Sequence, residues 1–283
     1  MSQQLRKPSQ FASDAVVETV KITPAIAAEW LKSNTLNRPL RRQHVAFLAG
    51  EMKSGNWLLN GESIKISEDE NVIDGQHRLH ACIDSGVTFK TTVVYGLKEE
   101  AFLTIDQGKP RTGSDALKLH FPDAPAGICA AVATACKWCH VIDSGWTSQR
   151  AQSRLSNKDI LDYAVSHPEL WQCANIINQY PSSQRLISLG VGTALYYFFN
   201  KRDSALAADY MEQLSTGENL SATDVAYHVR GLLIREHQKR ENTPTKYRAM
   251  MIVNGWNVLR EGKKLRGPRQ LIVKPEEDPP KIK

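Results

Sequence analysis

The sequence predicts an α+β domain followed by an all-α domain, on three observations. Alternating, β-branched segments are confined to residues 15–95. Beyond Asp115 the strand signal nearly vanishes, and the segments read as helices. At Asp74-Gly75 a short β-branched run, Asn71-Val72-Ile73, gives way to a helical segment that ends at Gly86. The predicted organisation is a disordered N-terminus (1–14), an α+β domain (15–115), a helical domain (116–266) and a mobile basic, Pro-rich tail (267–283).

In chain order, Ala15–Ile22 (AVVETVKI) alternates as a first strand. Thr23-Pro24 opens a helix through Leu31, because proline at the first helical position lacks an N–H that would be unpaired there anyway. Asn37–Arg41 is a loop rich in guanidinium groups. Gln43–Ser54 has apolar residues at 45, 48 and 52 and a stop at Gly55, the pattern of an amphipathic helix. Ser63–Ser67 (SIKIS) alternates as a strand, and Glu68–Asn71 is the polar turn after it. Leu79–Gly86 reads as a short helix, Thr88–Tyr95 as another strand and Lys98–Leu103 as a short helix before a polar loop, 106–112. Helices are then predicted at Ala116–His120, Gly127–Val141, Asn157–Val165, Leu170–Asn178, Gly190–Phe199, Ser204–Leu214, Thr223–Lys239 and Thr245–Arg260, the last bracketed by Pro244 and Gly262.

A chain of 283 residues, 41% hydrophobic and 23% charged, can bury a core without covalent staples. Its five Cys are irregularly spaced, and an odd number leaves at least one free thiol, which favours a reducing compartment. Met1–Gln10 is polar, without the apolar core of a secretory signal. No apolar run approaches the roughly 20 residues needed to span a bilayer. The expectation is a cytoplasmic protein with no membrane partner.

The net charge of +6 permits polyanion binding. Between Arg230 and Arg269, eleven Lys and Arg stand against three Glu. Within that stretch Arg235, Lys239, Arg240, Trp256, Arg260, Lys263, Lys264 and Arg266 combine cations with an aromatic ring, a composition suited to nucleic acid. The competing reading of Trp256 is a core residue on a helix whose other face is solvated.

Cys136-Lys137-Trp138-Cys139-His140 matches the C-x-x-C-H pattern of covalent haem attachment, but haem attachment needs export, and the pair lies in an Ala-rich helical stretch. No second Cys/His pair has zinc-finger spacing, and His44, His120, His167, His228 and His237 are scattered, so neither haem nor zinc is expected. Neither G-x-x-x-x-G-K-[ST] nor G-x-G-x-x-G occurs, so any nucleotide is bound another way.

Asp74-Gly75-Gln76-His77-Arg78 is the stretch that carries chemistry. Gly75 can make the sharp strand-to-helix turn and Asp74 is placed to cap the helix. A helix opening this way aims N–H groups and the positive end of its dipole outward, and His77 and Arg78 add donors there. The plainer reading is a capped helix with an exposed Arg.

Three segments extend this motif into a family resemblance. Asn37–Gly55 (NRPLRRQHVAFLAGEMKSG) resembles the first box of ParB proteins, an Arg-bearing loop followed by a helix. Gly61–Gly86 (GESIKISEDENVIDGQHRLHACIDSG) resembles the second box, where ParB proteins have a G-E-R-R-x-x-A core. Thr91–Phe102 (TTVVYGLKEEAF) resembles the strand and helix that close the domain. Residues 15–115 thus resemble the nucleotide-binding domain of the ParB/sulfiredoxin superfamily. The D-G-Q-H-R form resembles the DGQHR-type proteins, which include DndB-like proteins of DNA modification and ParB-like phage proteins.

The resemblance implies that Gly75, His77 and Arg78 bind phosphate, with Gln76 in the same turn. Gln76 falls where sulfiredoxins have a nucleophilic Cys, so sulfinic acid reduction is not expected. It implies a nucleoside triphosphate (ATP or CTP) with Mg²⁺, and no dedicated protein metal site. Arg38, Arg41, Lys109 and Arg111 become candidates for the triphosphate or for a nucleic acid backbone, and Glu62 or Asp74 for the carboxylate that positions water. The implied function is triphosphate binding and ATPase-like hydrolysis in DNA modification or its regulation, in a phage-type protein within a bacterial cell, with DNA as partner. The alternatives are a non-enzymatic ParB-like DNA-binding regulator, and a kinase acting on a small molecule or DNA base. A homodimer is compatible with this pattern, which does not specify the oligomeric state.

Overall fold

The structure, a computed structural model, describes residues 15–34, 37, 39–99, 101, 105, 111–146, 155–181, 186–238, 243–265, 267–273 and 278–283. They divide into two compact units, with the boundary between Pro110 and Arg111. The first is α+β and the second is all-helical among its described residues.

The first unit holds β1 (Val16–Ile22), α1 (Pro24–Trp30), α2 (Arg42–Lys53), β2 (Ser63–Ser67), β3 (Val72–Asp74), α3 (Gln76–Ser85) and β4 (Phe89–Leu97). The four strands make one mixed sheet in the order β1-β4-β2-β3. β1 pairs antiparallel with β4 in a register that sets Val16 against Tyr95 and Ile22 against Phe89. β2 runs parallel to β4 and antiparallel to β3, so β3 and α3 together form the crossover between the parallel strands. Alternation decides which side is covered: Val20 and Ile22 of β1 are buried while Val17 and Lys21 are exposed. Ile64, Ile66, Phe89 and Val93 join them in one core with Ala27 and Trp30 of α1, Val45, Ala49 and Met52 of α2, and Leu79 and Cys82 of α3. The predicted short helix at 98–103 lies partly outside the described residues.

The second unit holds α4 (Gly113–His120), α5 (Ala126–Asp143), α6 (Asn157–Ser166), α7 (Glu169–Asn178), α8 (Leu189–Asn200), α9 (Ser204–Thr216), α10 (Val225–Gln238) and α11 (Thr245–Arg260). The predicted boundary after Asp115 falls inside α4. Thr112 begins that helix: its hydroxyl accepts from the Asp115 N–H, and the Asp115 carboxylate accepts from the Thr112 N–H at 2.7 Å. Ser156 and Asp159 cap α6 in the same way. The most enclosed helix is α8, buried from Gly190 through Phe199. It approaches α5 so closely that a Cβ on Gly190 would lie 2.4 Å from the Thr134 Cβ.

The tail departs from expectation. Pro268–Leu271 is a 3₁₀ turn with Leu271 buried, and the Asn254 amide donates to its carbonyl at 3.2 Å. Residues 281–283 are likewise held. The Trp256 indole N–H donates to the Lys283 carbonyl at 2.8 Å, Asn257 to that of Lys281 at 2.8 Å, and Arg202 to that of Ile282 at 3.1 Å. Apolar Leu271, Val273 and Ile282 pack against the core of the second unit, so the described parts of this segment are held where composition predicts a mobile tail. Residues 274–277 lie outside the described set.

All five cysteines are free and buried. Burial pushes the thiols of Cys82 and Cys173 up to about 11 and that of Cys136 up to about 12, and raises those of Cys129 and Cys139. A thiolate is the reactive form, so a disulfide reagent at pH 8 should label the native protein negligibly and all five thiols after denaturation. Rapid labelling of one or more native thiols would refute this burial pattern. Among the described residues no helix is long and apolar enough to cross a membrane.

Candidate functional site

The Asp74–Arg78 stretch lies at the wall of a cavity of about 410 Å³ in the first unit, within the range of small-molecule sites. Gly75, Gln76, His77 and Arg78 line it with Asn37, His44, Leu48, Trp57, Asn60, Glu62, Ile73 and Asp74.

Gly75 is the N-cap of α3 at φ +104°, a conformation that side-chain-bearing residues rarely adopt. Space demands glycine as well, since an added Cβ would sit 2.8 Å from Cγ1 of Ile64 on β2. The turn therefore packs directly against the sheet.

Asp74 does not cap the helix. The β2–β3 register puts it opposite Lys65, whose Nζ donates to Oδ2 at 2.7 Å, and Arg78 Nη2 donates to the same oxygen at 3.2 Å. Two cations thus share one Asp74 oxygen, so this catalytic candidate is engaged in ion pairs with Lys65 and Arg78. Arg78 Nη2 also donates to the Ser63 carbonyl at 2.8 Å, so its side chain, 13% exposed, is clamped between β2 and β3. Its Nη1 is buried with no hydrogen-bond partner. An unpaired guanidinium nitrogen there costs about 1–3 kcal/mol, which an acceptor atom would recover.

His77 is buried, and its Nε2 accepts the Arg41 backbone N–H at 3.2 Å. The bond ties the start of α2 to the start of α3. Arg41 thus reaches His77 through its backbone, with its side chain exposed. The His44 ring stands 5.2 Å from that of His77. Gln76 is also buried, accepting from Asn34 Nδ2 at 3.1 Å. Glu62 is exposed on the cavity wall, and its carboxylate carries no ion pair among the described residues.

Arg38, Lys109, Lys239, Arg240 and Arg266 lie outside the described residues. Arg111 is the first residue of the second unit, where its carbonyl accepts from Asn157 Nδ2 at 3.1 Å. Of the nucleic-acid candidates, Trp256 takes the competing reading, that of a core residue. It is fully buried, stacked on Phe199 at 4.4 Å and 8°, because α11 is apolar on nearly every side, through Met250, Met251, Ile252 and Val253 as well. Arg260 pairs with Asp203 at 3.1 Å and Lys263 with Glu261 at 2.7 Å. Arg235 and Lys264 are exposed.

Sequence reasoning missed Asn37, His44, Leu48, Trp57 and Asn60 as cavity residues. His44 and Leu48 share a helical face at i, i+4, and Trp57 is an aromatic in the otherwise loop-like stretch Gly55–Gly61; both signals were legible. Comparison with protein-family models, with curated proteins and with solved structures found no match.

Proposed function

We propose that the first unit is a ParB/sulfiredoxin-type nucleotide-binding domain, and that its cavity takes a nucleoside triphosphate, ATP or CTP, together with Mg²⁺. The observation that carries this reading is Arg78, a cavity-lining residue whose buried Nη1 has no hydrogen-bond partner, beside the α3 N-terminal turn that lines the same cavity. A phosphate oxygen is the acceptor that this donor and this helix terminus share. The described residues include no group of three His, Cys, Asp or Glu able to enclose a metal ion. The cation therefore fits as a partner of the phosphates, whose charge it neutralises, with Glu62 as the carboxylate able to contribute a ligand.

Hydrolysis, in this reading, rests on Glu62 orienting water, because Asp74 is held by Lys65 and Arg78. That same neutralisation of Asp74 leaves one carboxylate for catalysis and favours, as the second reading, a slow or non-hydrolysing switch. DNA modification or its regulation is the proposed setting, with DNA as the partner of the exposed cations Arg235, Lys263 and Lys264.

The test is thermal stabilisation by ATP, CTP and GTP with Mg²⁺. Ligand at about 100 times Kd should stabilise the protein by roughly 2.7 kcal/mol. Arg78→Lys, which retains the charge but has no Nη1, should fold and lose most of that shift. Glu62→Gln should keep the shift and lose phosphate release. No shift with any nucleotide would sink the reading. A shift without phosphate release in the wild type would leave the switch.

A further inference from the structure

The cavity has two chemical characters. Arg78, Glu62 and the α3 turn are polar, whereas Leu48, Trp57 and Ile73 are apolar. Such a wall suits a ligand that joins an anion to a flat apolar surface.

Trp57 is the distinctive member. It sits in the stretch between Gly55 and Gly61, both in the left-handed region at φ +70° and +84°, so the chain turns sharply on each side of it. Leu58 and Leu59 on this loop are exposed, while Trp57 turns back onto the unit and is half-buried. Its ring meets Phe89 edge-on, at 5.3 Å and 76°. Phe89 is itself buried at the start of β4, so the indole is held from the protein side by a core residue. Asn60, three residues on, accepts the Glu62 N–H through Oδ1 at 3.0 Å, which fixes its amide and leaves the Nδ2 hydrogens as donors on the cavity wall.

Resting on the nucleotide reading above, we propose that Trp57 is the stacking platform for the nucleobase. Leu48 completes the apolar slot, and Asn60 Nδ2 donates to an acceptor on the base edge. Stacking accepts any base, since every base has a π face, so discrimination between bases falls to the Asn60 donor.

The experiment measures binding of ATP, CTP and inorganic tripolyphosphate, each with Mg²⁺, by calorimetry to wild type, Trp57→Phe and Trp57→Leu. Leu keeps apolar bulk and removes the aromatic face, so tripolyphosphate binding doubles as a check on folding. Trp57→Leu should weaken the preferred nucleotide roughly tenfold or more, with tripolyphosphate unchanged, and Trp57→Phe should recover most of the loss. Nucleotide affinity unchanged in Trp57→Leu overturns the platform and leaves the cavity reading intact. Equal losses for nucleotide and tripolyphosphate also overturn it, making Trp57 a scaffold residue. A wild type that binds none of the three overturns both proposals.

Discussion

Gly75→Ala is expected to be the most damaging single-methyl change in the first unit. Two independent costs coincide at this position. A side chain at φ +104° costs of order 1–3 kcal/mol, and a Cβ placed 2.8 Å from Ile64 Cγ1 forces a similar overpacking cost. Ile64 cannot retreat easily, because it is fully buried between β4 and β3 in the middle of the sheet. The combined loss, about 2–6 kcal/mol, should lower the melting temperature of the first unit by roughly 10 °C or more. Calorimetry or circular dichroism would show it, and hydrogen exchange should rise in β2, β3 and α3. A melting temperature within a degree or two of wild type would mean the turn is not built as described. A control is Gly86→Ala at the other end of α3, which has φ +70° but nothing within 4 Å of an added Cβ, and so should incur only the backbone cost.

Trp256→Ala should be comparably destabilising in the second unit. The indole is fully buried, stacked on Phe199 and adjacent to Tyr210 at 6.4 Å, and its N–H is paired with the Lys283 carbonyl. Large-to-small changes of this kind cost about 3–5 kcal/mol. Trp256→Phe keeps most of the stacking and gives up the hydrogen bond, for a smaller loss of about 1–2 kcal/mol. Urea denaturation of the three proteins measures both. A residue that stacked on nucleic acid would behave oppositely, with stability unchanged and DNA affinity reduced, and that outcome would overturn the core assignment.

Much of the fold was legible because periodicity survives without tertiary context. The helix Thr245–Arg260 was predicted with its observed bounds, since Pro244 and Gly262 punctuate it, and Ser63–Ser67 was predicted as the strand it forms. The errors share one cause: they depend on what a residue meets across space. Capping is the local reading of Asp74, whereas its partner Lys65 is set by the β2–β3 register. For Trp256 the surrounding cations suggest a nucleic-acid contact, and the structure takes the competing reading, a core residue. The consecutive Met250, Met251, Ile252 and Val253 were the available warning, as four adjacent apolar residues cannot share one face. The motif at Gly75 was legible as a turn. The cavity around it is not, because the amphipathic face that carries Leu48 and the loop aromatic Trp57 are each visible locally, while their convergence on Gly75 is set by tertiary packing.

The strand order has a bearing on how the chain is made. β1 leaves the ribosome first, yet its partner along its whole length is β4, the last strand of the unit. β2 gains its parallel neighbour at the same late moment. Until Phe89–Leu97 emerges, the nascent chain holds only the short β2–β3 pair, and an isolated pair of that kind is marginal in water. Synthesis at about 5–20 residues per second therefore leaves β1 an unpaired edge for several seconds. The sheet closes in one late step, when β4 slots between β1 and β2, and the Gly75 turn acquires its rigid backing only then.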